Sequence, residues 1–528
     1  MATAVAAPAA AIPLGPADGE RVDPLRILAF LAMCFGMFMA FLDIQVVSAS
    51  LAEIQAGLAA SSDEITWVQT SYLMAEVVAI PLSGFLSRAL GTRAMFATAA
   101  AGFTAASLMC GLSSTMNEMI VWRALQGFIG GGMVPTVFAS AYSIFPRRLQ
   151  PVITPMIGLV ATLAPTIGPT VGGYLTDALS WHWLFFINII PGILVTIAAI
   201  TLIDFDKPDY SLFDRFDWIG LIFMALFLGA LEYVLEDGPR YDWFEDPTIA
   251  TAAVVSGVSA VIFFARVLTA QSPIVDLGAF RDRNFALGSM FSFVLGIGLY
   301  GLTYLYPVYL GEIRGHNALM VGQTLFVSGA VMFLTAPLVG RLMQTTDPRL
   351  MLAFGFTVVA ASNWMATSLT SDWDFWQLFV PQFLRGFGMM FAIVPITSVA
   401  LGTLAPQLLK NASGLFNLTR NLGGAVGLAA LNTVLDKRID LHLARLHESI
   451  TFARRPATEM LTGLAARIVG SDAQNMALKQ LMMLVRRQGI VMAFADVFLL
   501  LALLFIVFAP FAMLMRKPAP MAAGAGGH

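Results

Sequence analysis

Asp43 stands inside the run "ILAFLAMCFGMFMAFLDIQVVSASL", and Glu76 and Arg123 stand inside the second and fourth apolar runs of the chain. Ionisable side chains are costly in a segment built to lie in hydrocarbon, so each is a candidate for proton or ion chemistry. An acid and a guanidinium that meet offset much of each other's burial cost, and a buried carboxylate that loses such a partner takes up a proton more readily. Asp43, Glu76 and Arg123 therefore form the first candidate set, for proton coupling. Glu232, Arg385, Arg420 and Asp496 are secondary charged candidates, and Gln45, Gln126, Tyr300 and Tyr304 are candidates for lining a cavity. Metal chemistry has no basis in the pattern: the five histidines, His182, His316, His442, His447 and His528, are scattered, and the only close pair is His442 and His447. No G-x-x-x-x-G-K-[ST] stretch is present to cradle a nucleotide phosphate. An enzyme is not expected, and neither a metal nor a cofactor is.

The elements that must hold these residues are helices. Of 528 residues, 58% are hydrophobic and 12% charged, against about a quarter charged in an ordinary soluble domain. Apolar runs of about 20 residues recur, each long enough to cross a hydrocarbon core of about 30 Å. The expected fold is an all-α membrane protein with fourteen spans. Its parts are a flexible tail over 1–26, six spans over 27–203, two inserted spans with their loops over 204–284, six more over 285–434 and 489–515, a long loop over 435–488, and a tail over 516–528. The loop's interleaved Leu, Arg, His and Glu predict one or two amphipathic helices, either a solvated cap or a docking surface. Lys and Arg are distributed unevenly about these spans: sixteen fall on the side of the N-terminus and only Arg240 and Arg314 in the short loops opposite. Loops that retain Lys and Arg stay cytoplasmic, so both termini are expected inside. A net charge of −3, dispersed between apolar runs, excludes a nucleic-acid partner. Cys34 and Cys110 read as small buried hydrophobes. At 1.5 Å per residue, Asp43 is about 15 Å and Arg123 about 8 Å from the same outer face, near enough in depth to pair, while Glu76 is about 18 Å from either face.

Two stretches repeat with the same offset in span number. "LQGFIGGGMVPTVFAS" in the fourth span resembles "LRGFGMMFAIVPITSV" in the twelfth, and "GFLSRALGTR" after the second resembles "GRLMQTTDPR" after the tenth. Such a pattern is what a duplicated six-helix bundle with an inserted helix pair leaves. Gly84, Arg88, Gly91 and Arg93 make a tight basic turn. Gly168, Pro169, Gly172 and Gly173 leave one helix face nearly bare for close packing, and Pro165 with Pro169 favours a bend.

These stretches resemble motifs of the major facilitator superfamily. "GFLSRALGTR" resembles motif A, "VWRALQGFIGGGMVP" motif B and "GLVATLAPTIGPTVGGYL" motif C, the antiporter signature; "WHWLFFINIIPG" and "FLDIQVVSASL" resemble sixth-span and first-span signatures of its fourteen-span drug:proton antiporters. Over nearly the whole chain the resemblance is to the EmrB/QacA type of multidrug exporter. It implies drug efflux across a bacterial inner membrane in exchange for protons, an Asp43–Arg123 pair, no cofactor beyond the proton gradient, and work with a periplasmic adaptor and an outer-membrane channel. Three positions depart from the family pattern: Ser87 stands where motif A usually has aspartate, Pro191 follows Asn188 by three residues in place of two, and Gln45 replaces the usual threonine. A proton-coupled importer of a small solute and a non-transport membrane sensor are the alternative readings.

Overall fold

The computed structural model describes residues 23–61, 64–146, 149–270, 273–451, 454–468 and 472–516. Arg21, Arg147, Arg148, Lys517 and nearly all of both expected tails lie outside the described residues. The chain forms α1 (Pro24–Ala49), α2 (Leu51–Gly57), α3 (Trp67–Ala89), α4 (Gly91–Leu112), α5 (Met116–Gly130), α6 (Met133–Ile144), α7 (Gln150–Ala178), α8 (Trp183–Phe186) and α9 (Ile189–Leu202). There follow α10 (Trp218–Asp237), α11 (Pro247–Thr269), α12 (Arg283–Arg314), α13 (Ala318–Thr345), α14 (Pro348–Ala366), α15 (Phe375–Gly402), α16 (Leu409–Ser449), α17 (Arg455–Ala465) and α18 (Ala473–Phe508). No strand occurs among the described residues. Twelve helical segments, counting α5 with α6 and α8 with α9 as one each, are long and apolar enough to cross a membrane.

Acidic side chains set where several helices begin. Asp217, Asp246, Asp282, Asp347 and Asp374 cap α10, α11, α12, α14 and α15, each accepting from a backbone N–H of the first turn. A carboxylate there satisfies an orphan donor and meets the positive end of the helix dipole. Helices before α10 pack largely among themselves, as do those after α11, and α10 lies against α3, α11 and α16. Between the two groups α7 runs along α13, and α3 and α6 face α16.

The repeat seen in the sequence reappears as matching contacts. A Cβ on Gly127 of α5 would collide with the backbone oxygen of Tyr72 in α3, and one on Gly386 of α15 with that of Ser328 in α13. Beside each glycine is an Arg–Gln pair three residues apart, in opposite order: Arg123 Nη1 donates to Gln126 Oε1 at 2.7 Å, and Arg385 Nη1 to Gln382 Oε1 at 3.4 Å.

At the face where α1 begins, the two groups of helices touch. A Cβ on Gly84 would lie 3.0 Å from the backbone of Asn411, the approach of α3 to α16 that a side chain there would oppose. Lys410 donates to the backbone oxygen of Ser87 at 3.0 Å and pairs with Asp206, which also accepts from the Thr92 amide at 2.9 Å. Tyr142 of α6 donates to the Thr397 oxygen of α15 at 3.2 Å. Ser87 thus offers only its backbone, and the carboxylate comes from Asp206, after α9. Gly91, at φ +79°, makes the turn that a side chain would strain. Of the basic turn residues, Arg88 bonds its own helix at Gly84 O, and Arg93 pairs with the exposed Asp204.

The opposite face corrects the expected loop over 435–488. α16 continues to Ser449 and α18 begins at Ala473, so both project well beyond the apolar segments, with the short α17 against α18. Hydropathy marks where a helix leaves the membrane, not where it ends. Asp496 joins the two projections, with His442 Nε2 at 2.8 Å and Arg438 Nε at 3.5 Å, and forms no ion pair with Arg385 or Arg420.

Asp206→Asn is expected to loosen the closure at the α1-start face. Loss of a partly exposed pair is worth about 1 kcal/mol, roughly fivefold in the population of an open form. Maleimide labelling of Thr397→Cys, in a background without Cys34 and Cys110, measures it; an unchanged labelling rate counts against the closure.

Candidate functional site

Asp43 and Arg123 meet at 2.6 Å, and neither side chain has any exposed surface. Neutral partners fill most of the rest of their polar valence, Arg123 Nη2 alone finding no acceptor among the described residues. Asn188, in the turn between α8 and α9, donates to Asp43 Oδ1 at 2.8 Å, and Gln126 Nε2 donates to the same oxygen at 3.1 Å. Asn188 also donates to Ser107 Oγ at 3.0 Å, and Ser107 donates to the Phe185 carbonyl at 2.9 Å. Arg123 Nε donates to the Val68 carbonyl at 3.0 Å, and its guanidinium carbon lies 4.3 Å from the centre of the Tyr72 ring. Five helical elements, α1, α3, α4, α5 and the α8–α9 turn, therefore converge on one ion pair. Burying two charges is tolerable only when geometry and further hydrogen bonds compensate their lost hydration, and these neutral donors and acceptors supply that compensation.

The glycine-rich face of α7 brings α1 into register beside this pair. A Cβ on Gly168 would collide with the Gln45 side chain, and one on Gly172 would sit 2.9 Å from the Val46 oxygen. Pro169 and Gly173 lie on the same stretch of α7, which stays helical to Ala178.

A cavity of about 80 Å³, room for several waters, lies against the pair without opening onto it. Gln45 of α1, Glu76 of α3, Glu232 and Glu236 of α10, Tyr300 of α12 and Arg420 of α16 are among its walls. Gln126 and Tyr304, expected as wall residues, are not: Gln126 is committed to the ion pair, and Tyr304 lies one helical turn beyond Tyr300. Arg385 stands in the second group as the counterpart of the Arg123–Gln126 pair, donating to Thr303 Oγ1 at 2.9 Å where the first group has a carboxylate. Only one half of the molecule carries the acid.

Ser107 and Glu236 were not singled out in the sequence, and Asn188 was noted only within the sixth-span stretch "WHWLFFINIIPG", not as a site residue; Glu236 is signalled only by its place one helical turn after Glu232. Among the described residues no group of His, Cys, Asp and Glu is arranged to hold a metal ion.

Two groups of apolar helices with matching contacts, one holding a buried acid–guanidinium pair beside a cavity with carboxylates, are the features of a membrane transport protein. Residues 33–428 match the model of the Major Facilitator Superfamily, and the chain belongs to that family. Within it the chain groups with the EmrB proteins: it is similar to the colistin resistance protein EmrB of Acinetobacter baumannii, 42% identical over 92% of this chain and 96% of that one. It is also similar to the multidrug export protein EmrB of Escherichia coli K12, 28% identical over 97% and 99%. Among solved structures, the human organic anion transporter MFSD10 shares the fold at a TM-score of 0.58 with 12% identity, covering 92% of this chain and all of that one. The protein is a multi-pass inner-membrane transporter, not an enzyme.

Removing either charge leaves the other buried without its counter-ion, a loss of about 3–5 kcal/mol. Arg123→Gln and Asp43→Asn are each expected to lower the thermal midpoint in detergent strongly. The double variant should recover at least about 1 kcal/mol relative to the sum of the singles. Strict additivity would show that the two groups do not act as a pair.

Proposed function

We propose that the protein exports amphipathic drugs across the inner membrane in exchange for protons, by alternating access, with Asp43 as the principal proton-binding group. The observation that carries this reading is the sealed Asp43–Arg123 pair beside a carboxylate-lined cavity, two of whose walls, α1 and α3, also hold the pair. α1 carries both Asp43 and the cavity residue Gln45, and α3 carries both Tyr72, which holds Arg123, and the cavity residue Glu76. A ligand that parts α1 from α3 pulls on the pair, and separating the pair frees Asp43 to take a proton. Glu76 then competes for the proton or for a cationic ligand from inside the cavity. The names of the EmrB relatives support drug export as the task.

The reading includes fourteen spans in two six-helix bundles, with α10 and α11 inserted. Of the helices outside the twelve apolar segments, two are long: α7, with 29 residues, and α16, with 41. Each is long enough to cross, and their packing between apolar helices favours counting both. The excess of Lys and Arg on the α1-start side favours a cytoplasmic N-terminus. In that orientation the Lys410–Asp206 closure faces the cytoplasm, and the projecting ends of α16 and α18 reach the periplasm as the dock for an adaptor that leads to an outer-membrane channel. Met476 and Met483 are exposed on the α18 projection.

Drug uptake into inside-out vesicles under an imposed pH gradient tests the transport reading. Uptake driven by an acidic interior is expected, and Asp43→Asn should abolish the gradient dependence at least tenfold while leaving drug binding measurable. Gradient-driven uptake that survives unchanged in Asp43→Asn would falsify the coupling role, and movement in the opposite direction would make the protein an importer. A photo-crosslinker at Met483 should trap a co-expressed adaptor; one placed at exposed Leu350, on the other face, should not.

A further inference from the structure

Glu76 and Glu232 are each more than nine-tenths buried, line the cavity, and have no hydrogen-bond or ion-pair partner among the described residues. Glu236 lines it one turn beyond Glu232 on the same face of α10. Glu232 stands close enough to Glu76 and Glu236 for both of their charges to act on it, and α10 is held there by Trp67 of α3 stacked on Tyr233 at 5.3 Å. Three acids gathered in a low-dielectric space, none of them ion-paired among the described residues, are an unmet electrostatic demand.

The same cavity holds the complementary demand. Arg420 lines it, is also more than nine-tenths buried, and its Nε and Nη2 have no acceptor. Its guanidinium carbon rests 5.2 Å from the Phe416 ring and 5.7 Å from the Phe138 ring, contacts that hold the group in position without satisfying its donors. Arg420 forms no ion pair with any of the three acids. Neighbouring cavity groups on α16 are neutral and already engaged: Asn417 donates to the Ser413 carbonyl at 2.8 Å, and Asn421 accepts from the Tyr300 hydroxyl at 3.2 Å.

We propose that this cavity selects zwitterionic amphipaths, binding a protonated amine on Glu76, Glu232 and Glu236 and an anionic group of the same molecule on Arg420. A ligand with both charges satisfies both sets of unpaired groups, whereas a pure cation leaves Arg420 unmet and a pure anion adds to the uncompensated acids. α10 is then part of the binding site, a role that the duplicated bundles alone do not supply. At about 80 Å³ the cavity is too small for a drug-sized ligand in this form, so such a ligand enters as the walls part. The inference rests on the export reading and deepens it by naming the substrate class.

Binding to the purified full-length protein in nanodiscs, read by ligand fluorescence, tests the assignment with one scaffold in three charge forms. The forms are norfloxacin, a zwitterion, its ethyl ester, which keeps only the amine charge, and its N-acetylpiperazine derivative, which keeps only the carboxylate. Norfloxacin is expected to bind at least tenfold more tightly than either derivative. Glu232→Gln with Glu236→Gln should weaken norfloxacin and the ester tenfold and leave binding of the N-acetyl form undiminished or tighter. Arg420→Gln should weaken norfloxacin and the N-acetyl form and leave the ester unchanged, and Arg420→Lys, which keeps the charge and spares the packing if the glutamine variant unfolds, should restore most of the binding. Equal affinity for norfloxacin and its ester, or α10 variants that bind all three forms as the wild type does, would overturn the proposal. Vesicle export of the ester that persists in that case would leave the drug-export reading standing, while absence of export for all three forms and for other drugs would count against the export reading itself.

Discussion

Two opposite charges held at 2.6 Å with no exposed surface set the terms for the first half of this molecule. Such a pair is tolerable only where further hydrogen bonds engage most of its lone pairs and protons. The engagement draws in Asn188 from the α8–α9 turn, Ser107 from α4, Gln126 from α5 and a backbone carbonyl from α3. Much of the packing of this half serves to bring those groups within reach. Gly127 lets α5 approach Tyr72, and Gly168 and Gly172 let α7 press α1 inward. In this sense the glycines of motifs that look like hinge elements are first the means by which an ion pair is closed off from water.

The second half repeats the architecture and omits the charge. Arg385 retains the glutamine partner three residues away, but Thr303 stands where its acidic partner would be. A guanidinium bonded only to neutral groups has nothing nearby to protonate. The duplication therefore provides a scaffold on both sides and a titratable device on one, and the cavity between them inherits that asymmetry, with its acids on α3 and α10 and its arginine on α16.

What the sequence disclosed follows from the cost of charge in hydrocarbon. Asp43, Glu76, Arg123 and Glu232 stand out because a lone charge in an apolar run is rare, and depth counted along the helices was enough to bring Asp43 and Arg123 together. Asn188 and Ser107 were not legible, since a neutral polar residue is cheap enough in a span to need no partner. Asp206, which serves Lys410 in place of a carboxylate at Ser87, is separated from it by 204 residues and lies between apolar runs where charge is unremarked. The boundary drawn at residue 434 marks where α16 turns polar, not where the helix ends, since its backbone hydrogen bonds continue to Ser449.

That continuity gives α16 a mechanical character. Its 41 residues make a rod about 60 Å long at 1.5 Å per residue. Lys410 and Asn411 are at one end against α3, Arg420 is beside the cavity, and His442 is clasped to Asp496 of α18 beyond the apolar segments. A stiff rod pinned at three heights cannot tilt at one without displacing the others. The seal on one face, the chamber within and the projection on the far face are stations along a single lever.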